Sequence, residues 1–117
     1  MLKGFVPGKI YLATGYTDLR KGIDGLAGMV QEQFRLDVFD DALFLFCGRR
    51  TDRIKGLYWD SNGFLLLYKR LEQGRFRWPR TEQEARQITM QQYEWLCQGF
   101  EIEAQNRPVK TTGLRFS

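Results

Sequence analysis

The sequence predicts an α+β fold: a small, mostly antiparallel sheet of four to five strands, one long helix packed on a face, and a C-terminal helix. Three observations carry that prediction. Short apolar runs bounded by turn residues recur along the chain. One longer stretch, from about Leu19 to Phe34, spaces its apolar residues by three and four. A chain of 117 residues, 43% hydrophobic and 15% aromatic, suffices for one core and not for two. A single domain over residues 1–117 is therefore expected, with its core at about 9–100 and a polar tail over 101–117.

Lys9-Ile10-Tyr11-Leu12-Ala13 reads as a short strand, preceded by the turn signal Pro7-Gly8 and closed by Thr14-Gly15. In the helix that follows, Leu19, Ile23, Leu26, Val30 and Phe34 share a face, with Asp18 or Thr17 available as N-cap. Gly22, Gly25 and Gly28 recur inside it, each costing on the order of 1 kcal/mol against Ala. Such a stripe points to close packing on a sheet. Its spacing, inside the helix, is not that of a dinucleotide fingerprint.

Ala42–Cys47 is a continuous apolar run between Asp40-Asp41 and Gly48, so it reads as a buried central strand. Arg53–Trp59 and Phe64–Arg70 flank Asp60-Ser61-Asn62-Gly63, and Asn-Gly between two such runs marks a hairpin. Gly74-Arg75-Phe76-Arg77-Trp78-Pro79 alternates and predicts a further short strand. Thr81–Glu84 and Thr89–Gln92 both fit a capping box, and a helix from Met90 to Gln98 would bury Met90, Tyr93, Leu96 and Cys97. In the tail, Leu114-Arg115-Phe116 could form an edge strand.

Charge is unevenly placed. The chain carries +4 overall, yet the segment Leu43–Arg80 holds nine of the eighteen Lys and Arg residues against Asp52, Asp60 and Glu72. Cations interleaved with apolar strand residues suggest a sheet that buries one side and offers the other to an anion, nucleic acid above all. Arg49, Arg50 and Arg53 fall in one tight loop, and their planar forks match phosphate oxygens. A two-stranded ribbon carrying Lys55, Lys69 and Arg70 has the width of a DNA major groove. Arg75 and Arg77 share one strand face, with Phe76 and Trp78 on the other. Lys and Arg on exposed strands also block edge-to-edge aggregation, so these cations have a structural reading beside the functional one. The aromatics Tyr58, Trp59, Phe76 and Trp78 read as core before base-stacking platforms.

Other chemistries find little support. The chain has no histidine, which removes Ser-His and Cys-His nucleophile pairs. Cys47 and Cys97 lack metal-ligand spacing and read as small core residues in a reducing compartment. Asp18, Asp24, Asp37, Asp40, Asp41, Asp52 and Asp60 could in principle converge on Mg²⁺, as in a nuclease or a DDE-type transposase. They sit, however, where caps and turns need them. No catalytic residue, metal or cofactor is expected. The absence of a signal-peptide pattern and of an apolar run near eighteen residues predicts a cytoplasmic protein with no membrane partner.

The residues also carry a resemblance. Thr17-Asp18-Leu19-Arg20-Lys21-Gly22-Ile23-Asp24-Gly25-Leu26, then Ala42–Phe46, Gly48-Arg49-Arg50, Asp52–Lys55, Trp59-Asp60, Gly63-Phe64, Tyr68–Glu72 and Gly74–Pro79 appear in that order. Over about residues 9–100 the chain resembles the small accessory protein encoded by the second open reading frame of insertion-sequence-sixty-six elements. That protein is often called TnpB and is unrelated to the RNA-guided nuclease of the same name. One departure is Val38-Phe39-Asp40-Asp41, where the family usually has a Pro and a Ser-Gly-like turn. The resemblance implies a bacterial, non-catalytic factor for DNA transposition, made alongside a separate DDE transposase and a second small accessory protein. Combined with the charge, it predicts binding to element-end DNA through Arg49, Arg50, Arg53, Lys55, Lys69, Arg70, Arg75 and Arg77. The alternative is an adaptor that docks the transposase without touching DNA. Nothing in the sequence fixes an oligomeric state.

Overall fold

Ala42–Cys47, the longest unbroken apolar run of the sheet, is buried along its whole length and is the middle strand. In the computed structural model, which describes residues 4–103, five strands form one sheet. They are β1 (Lys9–Ala13), β2 (Ala42–Cys47), β3 (Arg53–Asp60), β4 (Gly63–Arg70) and β5 (Ala85–Ile88), in the order β4-β3-β2-β1-β5. β2–β3, β3–β4 and β1–β5 pair antiparallel, but β1 and β2 are parallel, in register Lys9 with Ala42 through Leu12 with Leu45. The sheet is therefore mixed, a correction to the mostly antiparallel expectation. The connection from β1 to β2 carries a helix, and such crossovers join parallel strands.

That helix is also shorter than the apolar spacing predicts. Regular helix occupies only Ile23–Gly28, as α1, and then widens into a π-helical turn over Met29–Gln33. Phe34 N–H reaches back to Met29 O, and Arg35, at φ 58, ends the run. Asp18 is not the N-cap. Its carboxylate accepts from the Arg20 N–H at 3.0 Å, which holds Leu19 and Arg20 in a turn, and the cap position falls to Gly22 with no side-chain bond. Gly22 and Gly25 weaken the helix where it would have to start. The glycines do not press on the sheet either, since a Cβ at Gly22 or Gly28 would meet open space. The apolar face holds nonetheless: Leu26 and Val30 are fully buried, and Leu19, Ile23 and Phe34 pack around them.

Both faces of the sheet are covered, so the buried apolar residues fall into two clusters where a single core is expected. Ala13, Ala42, Phe44, Phe46 and Leu57 face α1, whereas Ile10, Leu12, Leu43, Leu45, Cys47 and Ile54 face the other way. The second helix, α2 (Met90–Cys97), packs Tyr93 and Leu96 on the latter set, on the face opposite α1, whereas its apolar positions point to an edge or the same face. Its capping box is formed: Thr89 Oγ1 accepts from Gln92 N–H at 3.0 Å, and the Gln92 side chain accepts from Thr89 N–H at 2.8 Å. Thr81–Glu84 caps nothing and leads into β5, which only Ile88 marks as apolar. Burial pushes the Cys47 thiol up to about 12, so it is an inert core group.

Gly74–Pro79 forms no strand. Its alternation survives, with Phe76 and Trp78 buried and Arg75 and Arg77 exposed, but it crosses the end of the sheet without pairing along it. Three bonds fix that path: Phe76 N–H to Thr51 O at 2.7 Å, Trp78 Nε1–H to Ala13 O at 2.8 Å, and Gly15 N–H to Pro79 O at 2.9 Å. The edge strand expected at Leu114-Arg115-Phe116 lies outside the described residues.

Candidate nucleic-acid interface

Because β1 and β2 run parallel, their carboxyl ends lie at the same end of the sheet. The β2–β3 loop, Gly48–Asp52, turns there, and β4 finishes beside it, with Leu71 N–H donating to Asp52 O at 2.7 Å. Thr51 closes the loop at φ 56, a left-handed conformation costly for a β-branched residue, and its carbonyl accepts from Phe76. The arginine loop and the Arg-Phe-Arg-Trp segment are thereby stitched together.

Of the eight predicted cations, four gather at this end without an ion-pair partner among the described residues: Arg49, Arg50, Arg75 and Arg77, all exposed. Arg80, absent from the predicted set, joins them. It lines, with Arg75, Arg77 and Thr51, an open groove of about 840 Å³ that Glu101 and Glu103 also line. Only its position one step past Pro79, at the end of the same cationic run, could have pointed to it. Glu103 is held by Arg86.

The other four do not belong to one patch. Arg53 and Arg70 are directly opposite on adjacent strands and are each paired with a neighbouring acid, Asp52 at 3.0 Å and Glu72 at 3.2 Å. The Arg53 guanidinium holds the Asp52 carboxyl below the usual carboxylate range. Lys55 lies on the α1 face, its ammonium donating to Lys21 O at 3.2 Å. Lys69 points to the opposite face, beside Phe5 and α2. The hairpin therefore does not present Lys55, Lys69 and Arg70 as one ribbon surface. Alternation along a strand sends Lys69 to the far side from Arg70.

Five of the seven aspartates considered for catalysis, Asp18, Asp37, Asp40, Asp41 and Asp52, take structural partners. Asp18 holds Arg20, Asp40 holds Lys9 at 3.0 Å, and Asp41 accepts from the Tyr58 hydroxyl at 2.5 Å. Among the described residues no group of three or more acids and thiols is placed to hold a metal ion.

The comparison with protein families decides what such a chain is. The family model described as IS66 Orf2 like protein matches residues 8–107. The chain belongs to that family. It is thus an accessory protein associated with transposition, not a member of a recognised catalytic family. Two proteins of Sinorhizobium fredii are similar to it and are themselves uncharacterized. One, y4hO, is 40% identical over 93 residues, covering 80% of this chain and 81% of its own. The other, y4jC, is 31% identical over 103 residues, covering 87% and 88%. No solved structure matches the chain. No helix among the described residues is long and apolar enough to cross a membrane.

Proposed function

We propose that this IS66 Orf2-family accessory protein binds element-end DNA through the cationic end of its sheet and thereby assists the element's DDE transposase. The observation that carries the reading is the group Arg49, Arg50, Arg75, Arg77 and Arg80: five exposed guanidinium groups without a carboxylate partner among the described residues, on two segments joined by the Thr51–Phe76 bond. Guanidinium forks bind phosphate oxygens in pairs, and neutralising phosphates releases counterions. Arg53 and Arg70, by contrast, are each neutralised by a neighbouring acid.

A mobility-shift titration on element-end DNA, with scrambled DNA beside it, tests the reading. The double variant Arg49→Glu/Arg75→Glu should weaken binding at least about tenfold near 0.1 M salt, since it neutralises fewer phosphates and sets two carboxylates against the backbone. Lys9→Ala, at the opposite end of the sheet, should leave binding within about twofold. An absence of DNA binding by the native protein, together with transposase capture that the double variant abolishes, would instead make the same end a protein-docking surface. The presence of Glu101 and Glu103 in the same groove is the feature that suits that second reading.

A further inference from the structure

β4 is the outermost strand of the sheet beyond β3, and among the described residues nothing pairs with its outer edge. Outer strands are usually short, bulged or broken by proline, because open N–H and C=O groups invite another strand. β4 has none of these protections. It runs for eight residues in unbroken register with β3, from Arg70 opposite Arg53 to Gly63 opposite Asp60, and Phe64–Tyr68 is five consecutive apolar residues. Leu65 is 37% exposed and Tyr68 53%.

The direction of the free groups follows from the hairpin. A two-residue loop closes on the bonded pair Asp60 and Gly63, so odd-numbered residues of β4 bond to β3. The Leu71 N–H to Asp52 O bond continues the same alternation. Phe64, Leu66 and Tyr68 therefore turn their N–H and C=O groups outward.

We propose that two copies of this chain pair through β4, antiparallel about a two-fold axis at Leu66, to make one continuous ten-stranded sheet from two five-stranded ones. This pairing does not depend on what the cationic end binds. In that register Leu66 faces its own copy, Phe64 faces Tyr68 of the second copy, and Leu65 faces Leu67 of the second copy. Every outward N–H and C=O from Phe64 to Tyr68 meets a partner, each bonded pair exchanging two hydrogen bonds. Every apolar residue meets an apolar one. Sliding two residues either way sets Arg70 against Phe64 or Tyr68 against Asn62, so the register at Leu66 is the self-complementary one.

Two further features fit a second copy in particular. Phe39, Trp59 and Phe64 form an aromatic cluster, with ring centroids 4.9 to 5.8 Å apart, and Tyr68 of the second copy extends it next to Phe64. The antiparallel arrangement also sets Lys69 and Arg70 of each copy against Gly63 and Asn62 of the other, beside Asp60. The basic end of one strand meets the acidic turn of its mate.

Light scattering and sedimentation of the full chain test the pairing. The expected result is a concentration-dependent species of twice the 13.8 kDa monomer. Tyr68→Pro removes an outward N–H and an exposed ring but no backbone bond to β3, and should give a monomer with unchanged circular dichroism. Should that variant misfold, cysteine cross-linking decides the matter. Leu66→Cys should join the two copies under mild oxidation by a disulfide between the introduced thiols, identified by peptide mass spectrometry, because directly opposed Cα atoms lie within disulfide range. Leu65→Cys should not link to itself. A protein that stays monomeric up to its solubility limit overturns the proposal. So does a dimer that links through Leu65→Cys but not Leu66→Cys, or β4 amides that gain exchange protection only when a different protein is added.

Discussion

At the carboxyl end of β1 and β2 the chain leaves Arg49, Arg50, Arg75, Arg77 and Arg80 without an ion-pair partner among the described residues; at the opposite end, Asp37, Asp40 and Asp41 are all in use. There Asp40 holds Lys9, Asp41 takes the Tyr58 hydroxyl, and Asp37 accepts from the Phe39 N–H at 2.9 Å. The acids of one end thus build the fold, while the arginines of the other are anchored only through their backbone and their neighbours Phe76 and Trp78. A cation that the fold does not use, fixed on a rigid segment, is available to an external anion. This difference separates a binding surface from a merely charged one.

The anchoring can be broken first. Trp78→Ala removes a buried indole and its bond to Ala13 O, and should cost about 3–5 kcal/mol in urea unfolding. Trp59→Ala, half-buried in the aromatic cluster at the other end, should cost about 1–2 kcal/mol. Equal losses would mean that the arginine segment is anchored no more firmly than the aromatic cluster at the other end. Thr51→Gly should raise stability by roughly 1 kcal/mol, since the left-handed backbone there is strained for threonine. A loss of stability would mean that the Thr51 hydroxyl, bonded to Arg50 O, outweighs the backbone strain.

Smaller effects sharpen the contrast. Lys9→Ala deletes an exposed ion pair and should leave the urea midpoint essentially where it is. Asp18, held by the Arg20 side chain and backbone, should titrate near 2 by carboxyl-carbon NMR, below its ordinary 3.8. Its folded value is depressed. Its contribution is therefore present above about pH 4 and fades as pH falls toward 2. Arg20→Ala should raise the midpoint part of the way, since the residue-20 N–H still donates to the carboxylate, and an unmoved midpoint would assign the shift elsewhere.

Much of this arrangement is legible in the sequence where one local signal suffices. β1, β2 and the hairpin follow from apolar runs closed by turn residues, and the Thr89–Gln92 capping box starts α2 where its residues say it should. The misreadings share a cause: tertiary bonds outweighing local pattern. Arg75–Trp78 alternates like a strand, but Phe76 and Trp78 bond to Thr51 and Ala13, so the segment crosses the end of the sheet. β5 has one buried apolar residue and forms because β1 offers it an edge. The site was half legible for the same reason. Charge density located the arginine loop, but strand parity, which sends Lys69 to the opposite face from Arg70, needs the register.

The central claim is that the unpaired arginine end meets phosphate. The most direct measurement is the dependence of element-end DNA affinity on salt, for the native chain and for Arg49→Glu/Arg75→Glu. A native slope of log affinity against log salt between about −3 and −5 is predicted from five available guanidinium groups, falling in magnitude by about 2 in the double variant. A slope near zero, or the same slope in both proteins, would contradict it.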